Sequence, residues 1–150
     1  MAIQRGQYHE AEAFLRKAVN TSRPNVLALN DLAEVLRRTE KLAEAETHIR
    51  KAIELSPTFY ILYETLGVIL MDQQKNLEEA EKCINKSIEL SKQEQGGEED
   101  VRIYMSLARV QTMRGDMKGA KRSLRKVMPK LDTLTEFEKR EFEEIKKGVH

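Results

Sequence analysis

Histidine, cysteine and carboxylate side chains are what a small protein would use for catalysis or metal binding, and here few of them have a useful spacing. The three histidines are His9, His48 and His150. Glu44 and His48 lie four apart and could pair, but two groups do not make a metal site. Cys83 is the only cysteine and falls in mid-helix, where a thiol packs or faces solvent more often than it reacts. Nothing in the spacing sets a base beside a serine or cysteine nucleophile. Gly96-Gly97 reads as a turn rather than a phosphate loop, and the acceptor-like triplets Asn20-Thr21-Ser22 and Asn85-Lys86-Ser87 are accidental without a secretion signal. No catalytic residue, metal ligand or cofactor site is assigned, and the chain is read as not an enzyme.

Charge carries more information. Net charge is +1 over 150 residues, but residues 51–100 hold −6 and residues 101–150 hold +6. Arg102, Arg109, Arg114, Lys118, Lys121, Arg122, Arg125, Lys126 and Lys130 are relieved there only by Asp116. Such a run could meet phosphates, yet no aromatic is interleaved for base stacking, and a solvated outer face is the simpler reading. With one cysteine and no apolar run near membrane-spanning length, the expectation is a cytoplasmic protein or a piece excised from a longer one.

The elements that must position these residues show themselves as a repeat. Gly6-Gln7-Tyr8-His9-Glu10-Ala11 is followed by Leu15 and Ala18; Lys41-Leu42-Ala43-Glu44-Ala45 by Ile49 and Ala52. Asn76-Leu77-Glu78-Glu79-Ala80 leads to Ile84 and Ser87, and Gly115-Asp116-Met117-Lys118-Gly119-Ala120 to Leu124 and Val127. The alanines Ala11, Ala45, Ala80 and Ala120 are 34, 35 and 40 apart, each heading one apolar helical face. A partner half recurs as Leu32-Ala33, Leu66-Gly67 and Leu107-Ala108, a knob beside a hole that lets two helices approach closely. Gln111 and Ser87 depart from this pattern, a polar side chain at an apolar position and a hydroxyl in a small slot. Helices are expected at 8–21, 25–38, 42–54, 58–73, 77–93, 99–113 and 117–128, with Pro24, Pro57 and Pro129 as stops. Thr135 and Glu138 read as a capping box, with Leu134, Phe137, Phe142, Ile145 and Val149 on one stripe of a final helix.

Leu66-Gly67, the four alanines, Pro24 and Pro57 together resemble the tetratricopeptide repeat over about residues 2–128. The fold expected is all-α: a right-handed α-solenoid of antiparallel helix hairpins, about three and a half repeats plus a C-terminal capping helix. It would form a single domain over 1–150, with repeats at about 2–24, 25–57, 58–98 and 99–129 and the capping helix at 134–147. Only Ala2 to Arg5 would remain of the first repeat's first helix, so its second helix is expected to be half-covered.

The resemblance implies a non-enzymatic protein–protein interaction scaffold that takes a peptide or helix of a partner in its concave groove. Carried over by position, the groove residues are Leu27, Asn30, Asp31, Glu34 and Arg37 from one helix. Ile61, Glu64, Thr65, Val68 and Met71 come from the next, and Arg102, Met105, Ser106, Arg109 and Thr112 from the third. Met71 and Met105 are expected to be solvent-accessible. The surface would run from polar, through apolar with acidic edges, to basic. The carboxylate clamp of chaperone-tail-binding members is not matched, since Glu34 would repel a carboxylate. The partner expected is a protein or peptide, with no membrane or nucleic acid, and the uncapped N-terminal repeat offers self-association. The alternatives are an RNA- or acidic-surface-binding repeat protein using residues 102–130, or a fragment regulating an attached catalytic domain.

Overall fold

Pairs of short helices joined by tight turns account for nearly all of the chain. The computed structural model describes residues 5–97 and 99–149, so the expectations placed on residues 2–4 and His150 lie outside the described residues. The helices are α1 (Arg5–Val19), α2 (Val26–Arg38), α3 (Leu42–Leu55), α4 (Tyr60–Asp72), α5 (Leu77–Glu94), α6 (Val101–Met113), α7 (Met117–Val127) and α8 (Glu136–Lys147). A 3₁₀ turn over Met128–Thr133 links the last two, and no strand occurs among the described residues. Helix ends fall within three residues of those expected from periodicity and proline placement.

Local chemistry sets where each helix begins. The Asn25 carboxamide oxygen accepts from the amides of Leu27 and Ala28 (2.8 and 3.2 Å) at the head of α2. Asp100 does the same for α6 and Asp116 for α7, accepting from Arg102 and Gly119 (3.1 and 2.9 Å). Thr135 and Glu138 form the reciprocal capping box of α8, at 2.9 and 3.1 Å. At the hairpin turns, Glu40, Gln74 and Gly115 adopt φ of +65°, +55° and +82°. Only the last of these is a residue type at ease there.

Consecutive helices pack antiparallel, and α2, α4 and α6 also contact one another side by side, with α8 against α6 and α7. Ala45, Ala80 and Ala120 are fully buried at these seams, while Ala11 on α1 is half-buried. The small residue of Leu66-Gly67 is required by distance. A Cβ on Gly67 would lie 2.6 Å from Ile84 Cγ1 and 3.1 Å from the Ala80 carbonyl oxygen. The two departures from the repeat pattern are absorbed by hydrogen bonds. Ser87 is fully buried and donates to the Tyr60 carbonyl (2.8 Å), and Gln111 is buried against Ser123.

Phe142 and Leu134 seat α8 on the core, with Ile145 and Val149 half-buried beside them. Phe137 breaks the expected stripe. It stands 55% exposed, lining a shallow depression with Arg109 of α6 and with Arg140, Glu141 and Ile145 of its own helix. On the outer side of the stack, Arg16 pairs with Glu44 (2.8 Å) and Arg50 with Glu79 (2.7 Å), joining α1 to α3 and α3 to α5 at equivalent positions.

Candidate partner groove

The face shared by α2, α4 and α6 forms one cleft, closed at its far side by α8. Asn30, Glu34 and Arg37 of α2 line it, with Ile61, Glu64, Thr65 and Val68 of α4. From α6 come Arg102, Met105, Ser106 and Arg109. These residues, from stretches about 35 to 40 positions apart, are brought together because the first helix of each hairpin lies beside the next. Four more of the expected residues are placed differently. Met71 lines a neighbouring depression with Arg37, Val68 and Arg109, while Leu27, Asp31 and Thr112 line neither. Leu27 is 54% exposed and the Thr112 hydroxyl donates to the Ala108 carbonyl (2.8 Å).

Two expectations about exposure are corrected. Met71 and Met105 are buried, at 4% and 5% exposure, rather than solvent-accessible. The direct contacts of α2 with α4 and of α4 with α6 cover their stems, so Met105 floors the groove and Met71 the neighbouring depression. The basic end of the groove is corrected too. Arg102 is held by Glu138 and by the Thr133 carbonyl (3.2 Å), and Arg109 by Glu141 (2.6 Å). Carboxylates of α8, more than 30 residues away in sequence, neutralise both. Tyr60, Asp100, Ile103, Glu138 and Glu141 are lining residues that the repeat alignment missed. The two glutamates alternate with basic residues at helical spacing in the final helix, which was the only signal for them.

Arg37 bridges Glu34 (3.1 Å) and Asp72 (3.0 Å). Burial works against its charge, but these two partners outweigh it and hold the guanidinium protonated beyond its ordinary range. Glu64 is the opposite case. Burial pushes its carboxyl above the usual range, the hydrogen bond from Ser106 Oγ (2.9 Å) opposes this, and Glu34 and Asp100 add to the rise. Asn30 is 9% exposed, and among the described residues its side-chain oxygen accepts no hydrogen bond.

Outside the groove, Glu44 pairs with Arg16 and not with His48, whose pKa is lowered chiefly by burial. Cys83 is half-buried, and burial pushes its thiol up to about 11. The basic segment is split between faces. Arg102 and Arg109 belong to the groove, while Lys118, Lys121, Arg122 and Arg125 stand exposed on α7. Lys126 lies 3.7 Å from Glu99 and 5.8 Å above the Tyr104 ring. Among the described residues, no helix is long and apolar enough to cross a membrane.

Solved structures share this arrangement. MamA 41-end from Desulfovibrio magneticus RS-1 superposes with a TM-score of 0.69 at 18% identity, covering 83% of this chain, which spans 66% of that one. A further MamA crystal structure gives 0.70 at 19% identity over 85% of this chain and 71% of its own. The N-terminal domain of stress-induced protein-1 (STI-1) from C. elegans gives 0.58 at 17% identity, covering 81% of this chain and 94% of that one. At such identities the likeness concerns the fold, an all-helical solenoid of the tetratricopeptide type. No curated protein matches the sequence. A family model does, over residues 2–132, and the chain belongs to that family, the middle TPR-like domain of cilia and flagella-associated protein 70.

Proposed function

We propose that this chain is a non-enzymatic interaction module that holds a segment of a partner protein in the cleft between α2, α4 and α6. The observation that carries this reading is convergence. Polar and apolar side chains from three successive hairpins line one continuous surface, where Ile61 and Val68 offer apolar contact beside Glu34, Glu64 and Arg109. Apolar burial supplies affinity and the charged rim fixes orientation. Met71→Glu is a poor probe because Met71 is buried, so the test uses residues at the cleft surface. Affinity capture from a lysate should lose its specific partners with Ile61→Glu and with Arg109→Glu. Arg122→Glu on the exposed face of α7 should keep them. Capture that survives both groove variants, with unchanged melting temperatures, would reject the reading.

The exposed cations of α7 favour a second reading, attachment to RNA or another acidic surface. Binding to RNA that falls steeply with salt and disappears on reversing Lys121, Arg122 and Arg125 would support it. Self-association through α1 has its own support in Phe14, which is 73% exposed, and light scattering across concentrations tests it. The half-buried lone thiol Cys83 suits a reducing, cytoplasmic setting.

A further inference from the structure

The charges lining the groove do not balance. Five carboxylates line it, from Glu34, Glu64, Asp100, Glu138 and Glu141, against three guanidinium groups from Arg37, Arg102 and Arg109. Each guanidinium is already held. Arg37 lies between Glu34 and Asp72, Arg102 on Glu138, and Arg109 on Glu141. Glu64, in the middle of the central helix, is left over. Among the described residues, it has no cation in ion-pair contact, and the hydroxyl of Ser106 is its hydrogen-bond donor. This half-buried carboxyl, with one neutral donor, has most of its accepting capacity unused.

A second, independent deficit lies in the same cleft. Asn30 lines it from α2, and among the described residues its buried side-chain oxygen has no donor. Buried acceptors in native structures are almost always satisfied, so an orphan in a concave surface points to a missing donor. Both deficits are of one kind, since each needs hydrogen-bond donors and one also needs positive charge.

We propose that the centre of the groove is a docking point for one basic side chain, lysine or arginine, projected by the bound segment of a partner protein. This rests on the groove reading above and adds the chemistry of its occupant. An ammonium or guanidinium group is donor-only and cationic, so it meets Glu64, and the enclosed Asn30 oxygen once that carboxamide turns toward the cleft, without leaving an unpaired acceptor of its own. Its aliphatic stem can lie along Ile61 and Val68, which line the same cleft. A carboxylate or phosphate in this position would face Glu64 and Glu34 with every groove arginine already engaged. The recognition is therefore opposite in sign to a carboxylate clamp.

The test titrates the isotope-labelled full chain with blocked single residues and follows its amide resonances. The probes are N-acetyl-lysine methylamide, N-acetyl-arginine methylamide, and the norleucine and glutamate equivalents. The lysine or arginine probe should give saturable shifts at Asn30, Glu64, Thr65 and Ser106, with roughly tenfold weaker binding of norleucine, the scale of a charge-assisted hydrogen bond. Glu64→Gln should reduce the lysine probe to the level of norleucine. Norleucine binding as tightly as lysine overturns the inference but leaves an apolar groove in place. Absence of saturable shifts from any probe also overturns it, and the groove reading then stands or falls on affinity capture alone. Because the lysine–norleucine comparison uses the unmodified protein, the outcome does not depend on how Glu64→Gln folds.

Discussion

Gln111 on α6 and Ser123 on α7 meet 2.6 Å apart inside the last hairpin, both more than nine-tenths buried. With its amide nitrogen turned toward Ser123, Gln111 also reaches the carbonyls of Gly119 (3.0 Å) and Leu107 (3.3 Å). Gln111 thus stands in a seam where the other hairpins carry Leu36 and Leu70. Ser123→Ala alone should cost about 0.5–1.5 kcal/mol by removing one partner of a buried amide, and Gln111→Leu with Ser123→Ala should recover most of that. A double-mutant cycle by urea unfolding checks it, and strictly additive losses would contradict it.

Gly67 lets α4 pack directly against Ile84 and the Ala80 carbonyl of α5. Gly67→Ala should destabilise by about 1–3 kcal/mol through overpacking, although alanine is the better helix former. Leu66→Ala beside it, at 3% exposure, should cost about 2–5 kcal/mol as a buried truncation. Denaturation midpoints report both. A stabilised Gly67→Ala would mean that α5 moves aside freely.

How much of this was legible in the sequence follows from which forces are local. Ala45, Ala80 and Ala120 are buried where their spacing put them, because small residues at helical period reflect a contact every repeat must make. The depth of Met71 and Met105 was not legible, since it depends on how closely α2, α4 and α6 pack across hairpins. The neutralisation of Arg102 and Arg109 was hidden for a related reason. Their partners Glu138 and Glu141 reside on a helix outside the repeat register, and its docking angle is written in no local pattern.

Stability should depend on pH through Glu64. Its folded pKa is raised, first by burial, so between the ordinary carboxylate value and the raised value the native chain keeps a proton that the unfolded chain has released. Stability contributed by this group therefore falls as pH rises through that window and is unaffected below it. Glu138, whose pKa is lowered by the capping hydrogen bonds at Thr135 and by Arg102 against the cost of burial, acts oppositely, losing its contribution as pH falls. Urea midpoints from about pH 4 to about pH 8 should decline less steeply for Glu64→Gln than for the parent chain. Parallel profiles would show that Glu64 does not titrate differently on folding.

Cys83 should be slow to alkylate. Burial, with a smaller push from Glu79, raises its thiol to about 11, so the reactive thiolate is scarce near neutrality. Iodoacetamide should label it faster as pH climbs and at once on unfolding in urea. Labelling at the rate of a free thiol at about pH 7 would contradict the burial seen here.

The outer rungs Arg16–Glu44 and Arg50–Glu79 occur at matching repeat positions, and the next rung would fall on Asn85 and Gly119, which cannot form one. Dissolved ions weaken solvent-facing charge pairs but scarcely touch packed hydrocarbon. The two leading outer rungs should therefore loosen as ionic strength rises, whereas the joint after them rests on charge pairs in another register, Arg114 with Glu81 and Lys126 with Glu99, so salt acts on different turns of the stack from one end to the other.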